Sequence, residues 1–284
     1  MMCQWDAFLN IVPRRLRHSV DKLGKGTLQE LRLRIGTAPV LVFQDNKIWL
    51  EDAVTYDDLS FCINTASEYS PWAANTASDG YVTAPGGHRV GICGTAAVNE
   101  GNITSIRTPS SLCLRVARDF SGIADDPRCY TGSLLIIGRP GSGKTTLLRD
   151  LIRLRSDRLN ECVCVVDERG EIFPRTNRGF CFPTGRNTDV LTGCSKSSGI
   201  LMTLRCMNPD IIAIDEITQR NDCDALLHAG WCGVKLIATA HAGNMEDLYR
   251  RPVYKPVVES GLFDAAIVLH SDKSWNLERI HICN

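Results

Sequence analysis

Leu134-Leu-Ile-Ile-Gly138-Arg-Pro-Gly-Ser-Gly-Lys144-Thr145-Thr146 runs from an apolar stretch through a glycine-rich turn into a helical pattern carried by Leu147, Leu148, Leu151 and Ile152. A short aliphatic run closed by glycine predicts a buried strand, and the spacing after Lys144 predicts a helix. Between them, glycines allow the tight turn that points backbone N–H groups at phosphate oxygens, and the helix start adds a favourable dipole. Gly138, Arg139, Pro140, Gly141, Ser142, Gly143, Lys144, Thr145 and Thr146 are therefore expected to cradle a nucleotide. Lys144 would reach the β- and γ-phosphates, and the Thr145 hydroxyl would ligate Mg²⁺. ATP and Mg²⁺ are the cofactors this stretch calls for.

Working outward, Ile211-Ile-Ala-Ile-Asp215-Glu216 ends a second apolar run with two adjacent carboxylates. A strand end beside the phosphate loop is where Mg²⁺ needs a carboxylate partner, which Asp215 supplies; Glu216 is placed to orient and deprotonate an attacking water. A pure binding module has no need of the second acid. Val165-Val-Asp167-Glu168-Arg169-Gly-Glu171 ends the strand after the phosphate-loop helix, and Asp167 or Glu168 could hold a water on Mg²⁺ or position the nucleophile. A surface ion-pair cluster is the competing reading. Leu236-Ile-Ala-Thr-Ala-His241 closes a further run that could lie between the phosphate-loop strand and the Asp215 strand, so His241 or the Thr239 hydroxyl could report on the γ-phosphate. Arg205, with Arg186, Arg107, Arg115 and Arg89, is a candidate for charge-stabilising contacts to phosphate, the guanidinium being planar and permanently charged.

Strand-like runs at 134–138, 162–167, 211–215, 234–239 and 265–270 alternate with helical patterns, which predicts a mostly parallel sheet covered on both faces. The first ~115 residues differ. They carry short strand-like runs at 31–35, 40–43 and 47–50, a helical pattern around 57–69, and a glycine-rich stretch at 80–94 in which Gly86-Gly87 can turn a hairpin. The expected organisation is a small α+β domain over residues 1–120 and an α/β P-loop domain over 121–284, joined by a polar linker within 117–131.

Composition narrows the partners. Basic and acidic residues balance at 32 each, so no overall field draws in nucleic acid or an anionic membrane, and direct nucleic-acid binding is not expected. No apolar run approaches the roughly 18 to 20 residues of a membrane-spanning helix. The start, Met1-Met-Cys-Gln-Trp-Asp6, shows no export signal, so a cytoplasmic location is expected. The 13 cysteines are scattered, and in a reducing compartment they read as free thiols.

Across nearly the whole chain the sequence resembles the stage III sporulation protein AA family, within the secretion and pilus ATPase superfamily. The resemblance rests on Glu30-Leu-Arg-Leu-Arg-Ile-Gly36, the Gly80 to Gly94 stretch, Ser110-Ser-Leu-Cys-Leu-Arg-Val-Ala-Arg118, the phosphate loop, Asp167-Glu-Arg-Gly-Glu171, and Leu204-Arg-Cys-Met-Asn-Pro-Asp-Ile-Ile-Ala-Ile-Asp-Glu216. By that resemblance Asp167 to Glu171 is the acidic box, and Ala238-Thr-Ala-His241 the histidine box. It further implies a RecA-like ATPase domain with a small N-terminal domain packed over its nucleotide, in a ring that is commonly hexameric. It also implies membrane-embedded sporulation channel proteins as partners, driven from the mother-cell side of the forespore envelope. Two other readings stay open: a nucleic-acid-dependent RecA-like motor, and a nucleotide switch that hydrolyses little. The first finds only Arg14-Arg-Leu-Arg17 as a basic cluster, and the second is disfavoured by the Asp215-Glu216 pair.

Overall fold

The structure is a computed structural model, and it describes residues 2–69, 80–126, 129, 131–176 and 179–280. The chain divides into two compact units: Met1–Asp119 with Pro174–Cys181, and Phe120–Phe173 with Phe182–Asn284. Residues 174–181, which the sequence reading leaves inside the C-terminal domain, cluster with the first unit.

The first unit begins with helices α1 (Trp5–Ile11) and α2 (Arg14–Gly24), followed by strands β1 (Glu30–Arg34), β2 (Val40–Val42) and β3 (Lys47–Trp49). Helix α3 (Tyr56–Ala66) precedes β4 (Tyr81–Thr83), β5 (Arg89–Asn99) and β6 (Asn102–Arg115). These strands form one antiparallel sheet in the order β3-β2-β1-β6-β5-β4. Phe8, Ile11, Leu31, Leu33, Leu59, Val90 and Leu114 fill the core between helices and sheet. Helix α3 starts where it does because Thr55 and Asp58 form a reciprocal capping box. Asp58 also receives Arg15 at 2.6 Å, while Arg17 donates to the Val12 and Asn10 carbonyls. Two arginines of the 14–17 basic cluster are thus engaged with the chain's own acceptors.

The second unit contains β7 (Leu134–Gly138), α4 (Lys144–Arg158) and β8 (Val163–Asp167). The small hairpin β9 (Arg175–Thr176) and β10 (Gly179–Phe180) belongs to the first unit. The second unit resumes with β11 (Thr188–Thr192), α5 (Lys196–Cys206), β12 (Ile211–Ile214), α6 (Arg220–Trp231) and β13 (Lys235–Ala240). It ends with α7 (Met245–Arg250), α8 (Lys255–Glu259), β14 (Ala265–Leu269) and β15 (Trp275–Arg279). Its sheet order is β11-β8-β12-β13-β7-β14-β15, parallel except for the β14–β15 pair. Strands β7, β8, β12 and β14 are buried at every position, as a parallel sheet covered on both faces demands. Because β8, β12, β13 and β7 are parallel neighbours, Asp167, Asp215, His241 and Gly138 all emerge at the same edge, the carboxyl ends of the strands. Among the described residues, no helix is long and apolar enough to cross a membrane.

Candidate active site

Gly138 ends β7, and the next five residues turn into α4 with Gly141 and Gly143 at φ +76° and +107°. Those angles lie in the left-handed region, where glycine avoids the Cβ clash that other residues meet. Gly143 is the N-cap of a fifteen-residue helix, so unpaired N–H groups and the positive end of its dipole face the loop. Arg139, Pro140 and Gly141 are exposed, while Ser142 is buried with no partner for its hydroxyl among the described residues. The Lys273 ammonium, from the β14–β15 turn, donates to the Gly141 carbonyl at 2.5 Å. Nothing in the sequence around Lys273 announces that contact.

Lys144 is buried, and its ammonium donates to the Gly138 carbonyl (2.9 Å), the Arg139 carbonyl (3.1 Å) and His241 Nδ1 (3.0 Å). Burial holds its pKa below the ordinary lysine value, opposed by the nearby Asp215 and Glu216 carboxylates. An ammonium can only donate, so His241 Nδ1 is the acceptor and the ring proton sits on Nε2. That nitrogen lies 3.2 Å from Glu216 Oε1. Lys144, His241 and Glu216 therefore form one chain of contacts across the site. The Tyr254 hydroxyl accepts from the His241 backbone N–H at 3.1 Å and fixes where β13 ends.

Beside that chain lies a second one. The Thr145 hydroxyl donates to Asp215 Oδ2 at 2.8 Å, and the Thr239 hydroxyl donates to Asp215 Oδ1 at 2.5 Å. Thr239 is fully buried, and its hydroxyl also accepts from the Glu216 backbone N–H at 2.8 Å. Glu216 sits at φ +55°, an uncommon conformation for a residue with a Cβ and one that needs external support. Thr239 gives that support, so its hydroxyl is engaged with the acidic pair. Burial raises the Asp215 pKa; Thr239 and Thr145 lower it, and Glu171 and Glu216 push it up again.

Asp167 is buried, and its carboxylate accepts three backbone N–H groups, from Glu171 (2.8 Å), Ile172 (3.0 Å) and Phe173 (2.9 Å). It folds the loop after β8 back on itself and brings the Glu171 charge within reach of Asp215. Glu168 is held by the Lys196 ammonium at 2.6 Å, from the first turn of α5. Lys196 thus joins the site although the sequence reading gives it no role, and Glu171 of the expected acidic box acts on Asp215. Among the candidate arginines, Arg205 is exposed and bonds the Leu201 carbonyl of its own helix, and Arg186 bonds the Asp157 carbonyl. In the first unit, Arg115 pairs with Glu30, Arg89 stacks on Tyr81 at 3.8 Å, and Arg107 is exposed on β6.

The family model for sporulation stage III, protein AA matches residues 4–280. The chain belongs to that family. A relative named stage III sporulation protein AA, from Bacillus subtilis (strain 168), is 34% identical over 276 residues, covering 93% of this chain and 90% of the relative. Among solved structures, the Legionella pneumophila ATPase DotB superposes with a TM-score of 0.58 at 16% identity, covering 93% of this chain and 78% of DotB. The pilus retraction motor PilT, solved with bound ADP, gives 0.57 at 13% identity over 93% of this chain and 80% of PilT. The parallel sheet, the glycine loop at the end of β7 and these neighbours establish an α/β, RecA-like fold for the family member described here.

Proposed function

We propose that this chain is an Mg²⁺-dependent ATP hydrolase that energises a channel- or secretion-like envelope complex during endospore formation. One observation carries the reading: the Thr145 hydroxyl and Asp215 carboxylate stand 2.8 Å apart beside the Lys144–His241–Glu216 chain, at the mouth of a glycine loop. Hard oxygen donors with neighbouring carboxylates, one of them kept off its ordinary pKa by burial, suit Mg²⁺, which binds through few protein ligands and keeps its waters. Thr145 and Asp215 would hold the ion, whose charge would offset that of the phosphates.

The residues then divide the work. The loop from Gly138 to Thr146 binds the phosphates through backbone N–H groups, and Lys144 exchanges His241 and two carbonyls for phosphate oxygens. Glu216 is the general base toward water, held in place from behind by Thr239. His241, freed at Nδ1 when Lys144 moves, stays on Glu216 through Nε2 and links the base to the state of the phosphate loop. Asp167 keeps the acidic loop folded, Glu168 stays with Lys196, and Glu171 adds its negative charge near Asp215. A cytoplasmic, mother-cell-side hexameric ring that docks on membrane-embedded sporulation channel proteins is the assembly this reading adopts. Arg205 is kept as a candidate for a contact across subunits in that ring.

The test is sporulation of cells carrying Glu216→Gln or Lys144→Ala, with particle mass measured for each purified chain with and without Mg·ATP. A motor loses sporulation in both variants and forms a ring-sized particle with nucleotide. Normal sporulation with Glu216→Gln but not with Lys144→Ala would instead mark a switch that needs binding alone.

A further inference from the structure

Helix α4 starts at the phosphate-binding lysine, and its apolar residues account for only part of its surface. Arg149, Asp150 and Arg153 are all buried as well, at 5%, 5% and 7% exposure. Charges removed from water need partners, and the partners of these three share one property. They are the residues at which the chain enters or leaves the second unit.

The chain passes between the units three times: after Asp119, after Phe173 and after Cys181. At the first passage, Arg153 donates to the Phe120 carbonyl at 2.8 Å, and Asp150 accepts the N–H groups of Gly122 (3.1 Å) and Ala124 (2.8 Å). At the second, Arg149 donates to the carbonyls of Ile172 (2.5 Å) and Glu171 (3.2 Å). At the third, the Arg149 guanidinium lies 4.5 Å from the Phe182 ring centroid, and Arg153 reaches the Pro183 carbonyl at 3.5 Å. Arg153 and Asp150 also pair with each other at 3.1 Å. A single helix therefore grips every crossing, with residues less than three turns from Lys144.

We propose that Arg149, Asp150 and Arg153 form the coupling clamp through which occupancy of the phosphate loop reaches the first unit. The proposal rests on the nucleotide reading above. A rigid helix that shifts when phosphate binds at its N-terminus carries all three crossings with it, because each is bonded to that helix and not merely near it. The Arg149 contact has a second effect: it holds the Glu171 carbonyl while Asp167 holds the Glu171 N–H, so the same residue positions the acidic loop.

The experiment is hydrogen exchange on the full chain, with and without Mg²⁺ and a non-hydrolysable ATP analogue, comparing wild type with Asp150→Asn, Arg149→Lys and Lys144→Ala. In wild type, nucleotide should slow exchange by tenfold or more at the phosphate loop and change it measurably in α3 and β1. Asp150→Asn and Arg149→Lys keep side-chain volume but lose a two-N–H acceptor and a forked donor. They should retain slowing at the phosphate loop and lose the change in the first unit. Melting temperature is recorded for each; a destabilised Asp150→Asn leaves Arg149→Lys as the deciding variant. A first unit that responds equally in wild type and both variants, or responds in none while the phosphate loop is slowed, overturns the clamp. No slowing at the phosphate loop in wild type would sink the nucleotide reading itself, and the clamp with it.

Discussion

Thr239→Val removes one oxygen and replaces it with a methyl group of nearly the same size, at a fully buried position. Two hydrogen bonds go with it. The Glu216 N–H loses its acceptor, which costs about 1–3 kcal/mol for a buried group, and Asp215 Oδ1 loses a donor at 2.5 Å, worth a similar amount for a bond to a charged acceptor. Valine recovers some packing, so a net loss of about 3 kcal/mol is expected in urea unfolding. The catalytic effect should be larger in kcat than in KM, because the hydroxyl fixes Glu216 at φ +55° and does not reach the phosphate loop. A displaced base costs on the order of 100-fold in turnover. Losing the Thr239 bond also drives the Asp215 pKa further up, so the acid limb of the pH–rate profile should move to higher pH. The assays are steady-state phosphate release from pH 5 to 9 and urea unfolding of the same preparations. Thr239→Ser keeps the hydroxyl and should recover most of kcat, with a stability loss of about 1 kcal/mol for the missing methyl. Wild-type turnover in Thr239→Val, or equal damage in the serine and valine variants, would refute the positioning role.

Other outcomes follow from single contacts. Gly138→Ala would place a Cβ 2.5 Å from Ser142 Oγ and 3.1 Å from the Leu269 carbonyl, so nucleotide affinity measured by fluorescent-analogue titration should fall at least tenfold as the loop shifts. His88 is buried; its Nδ1 accepts the Ala117 N–H at 3.1 Å, its Nε2 lies 3.0 Å from the Gln4 carbonyl, and burial pushes its pKa down to about 4. The unfolded chain takes that proton near pH 6.5, so stability present above pH 6.5 is lost as pH falls toward 4, by about 2 kcal/mol at pH 5. Urea titrations at pH 7 and pH 5 should show that loss, and His88→Gln should abolish its pH dependence. Asp167→Asn leaves a carboxamide that cannot accept all three loop N–H groups with both former oxygens, so exchange at Glu171, Ile172 and Phe173 should quicken by at least tenfold.

What was legible in the sequence is tied to strand ends. Leu134 to Ile137, Ile211 to Ile214 and Leu236 to Ala240 are buried runs that each stop at a chemically marked residue, and a parallel sheet brings such stops to one edge. The run before His241 does lie between the Gly138 and Asp215 strands. Helices α1 and α2 were not legible, because seven residues are too few to show a period and Arg14-Arg-Leu-Arg17 looks like a solvated cluster. Nor was the departure of residues 174–181 to the first unit, since no break in composition marks it. The charged face of α4 would pass for a solvent face by its pattern; only the contacts show Arg149, Asp150 and Arg153 inside. The sequence offers the Thr239 hydroxyl, as an alternative to His241, for contact with phosphate, whereas in the structure it has a carboxylate and a backbone N–H already in reach, a pairing that depends on strand register.

The proposed function turns on Glu216 as the base for hydrolysis at a site that Lys144 makes competent for ATP. It is tested most directly by release of inorganic phosphate from Mg·ATP by the purified chain over a range of protein concentrations, beside Lys144→Ala and Glu216→Gln. Turnover in wild type should rise with assembly, Lys144→Ala should neither bind nor turn over ATP, and Glu216→Gln should bind without turnover. Turnover that survives in Glu216→Gln at the wild-type rate would contradict it.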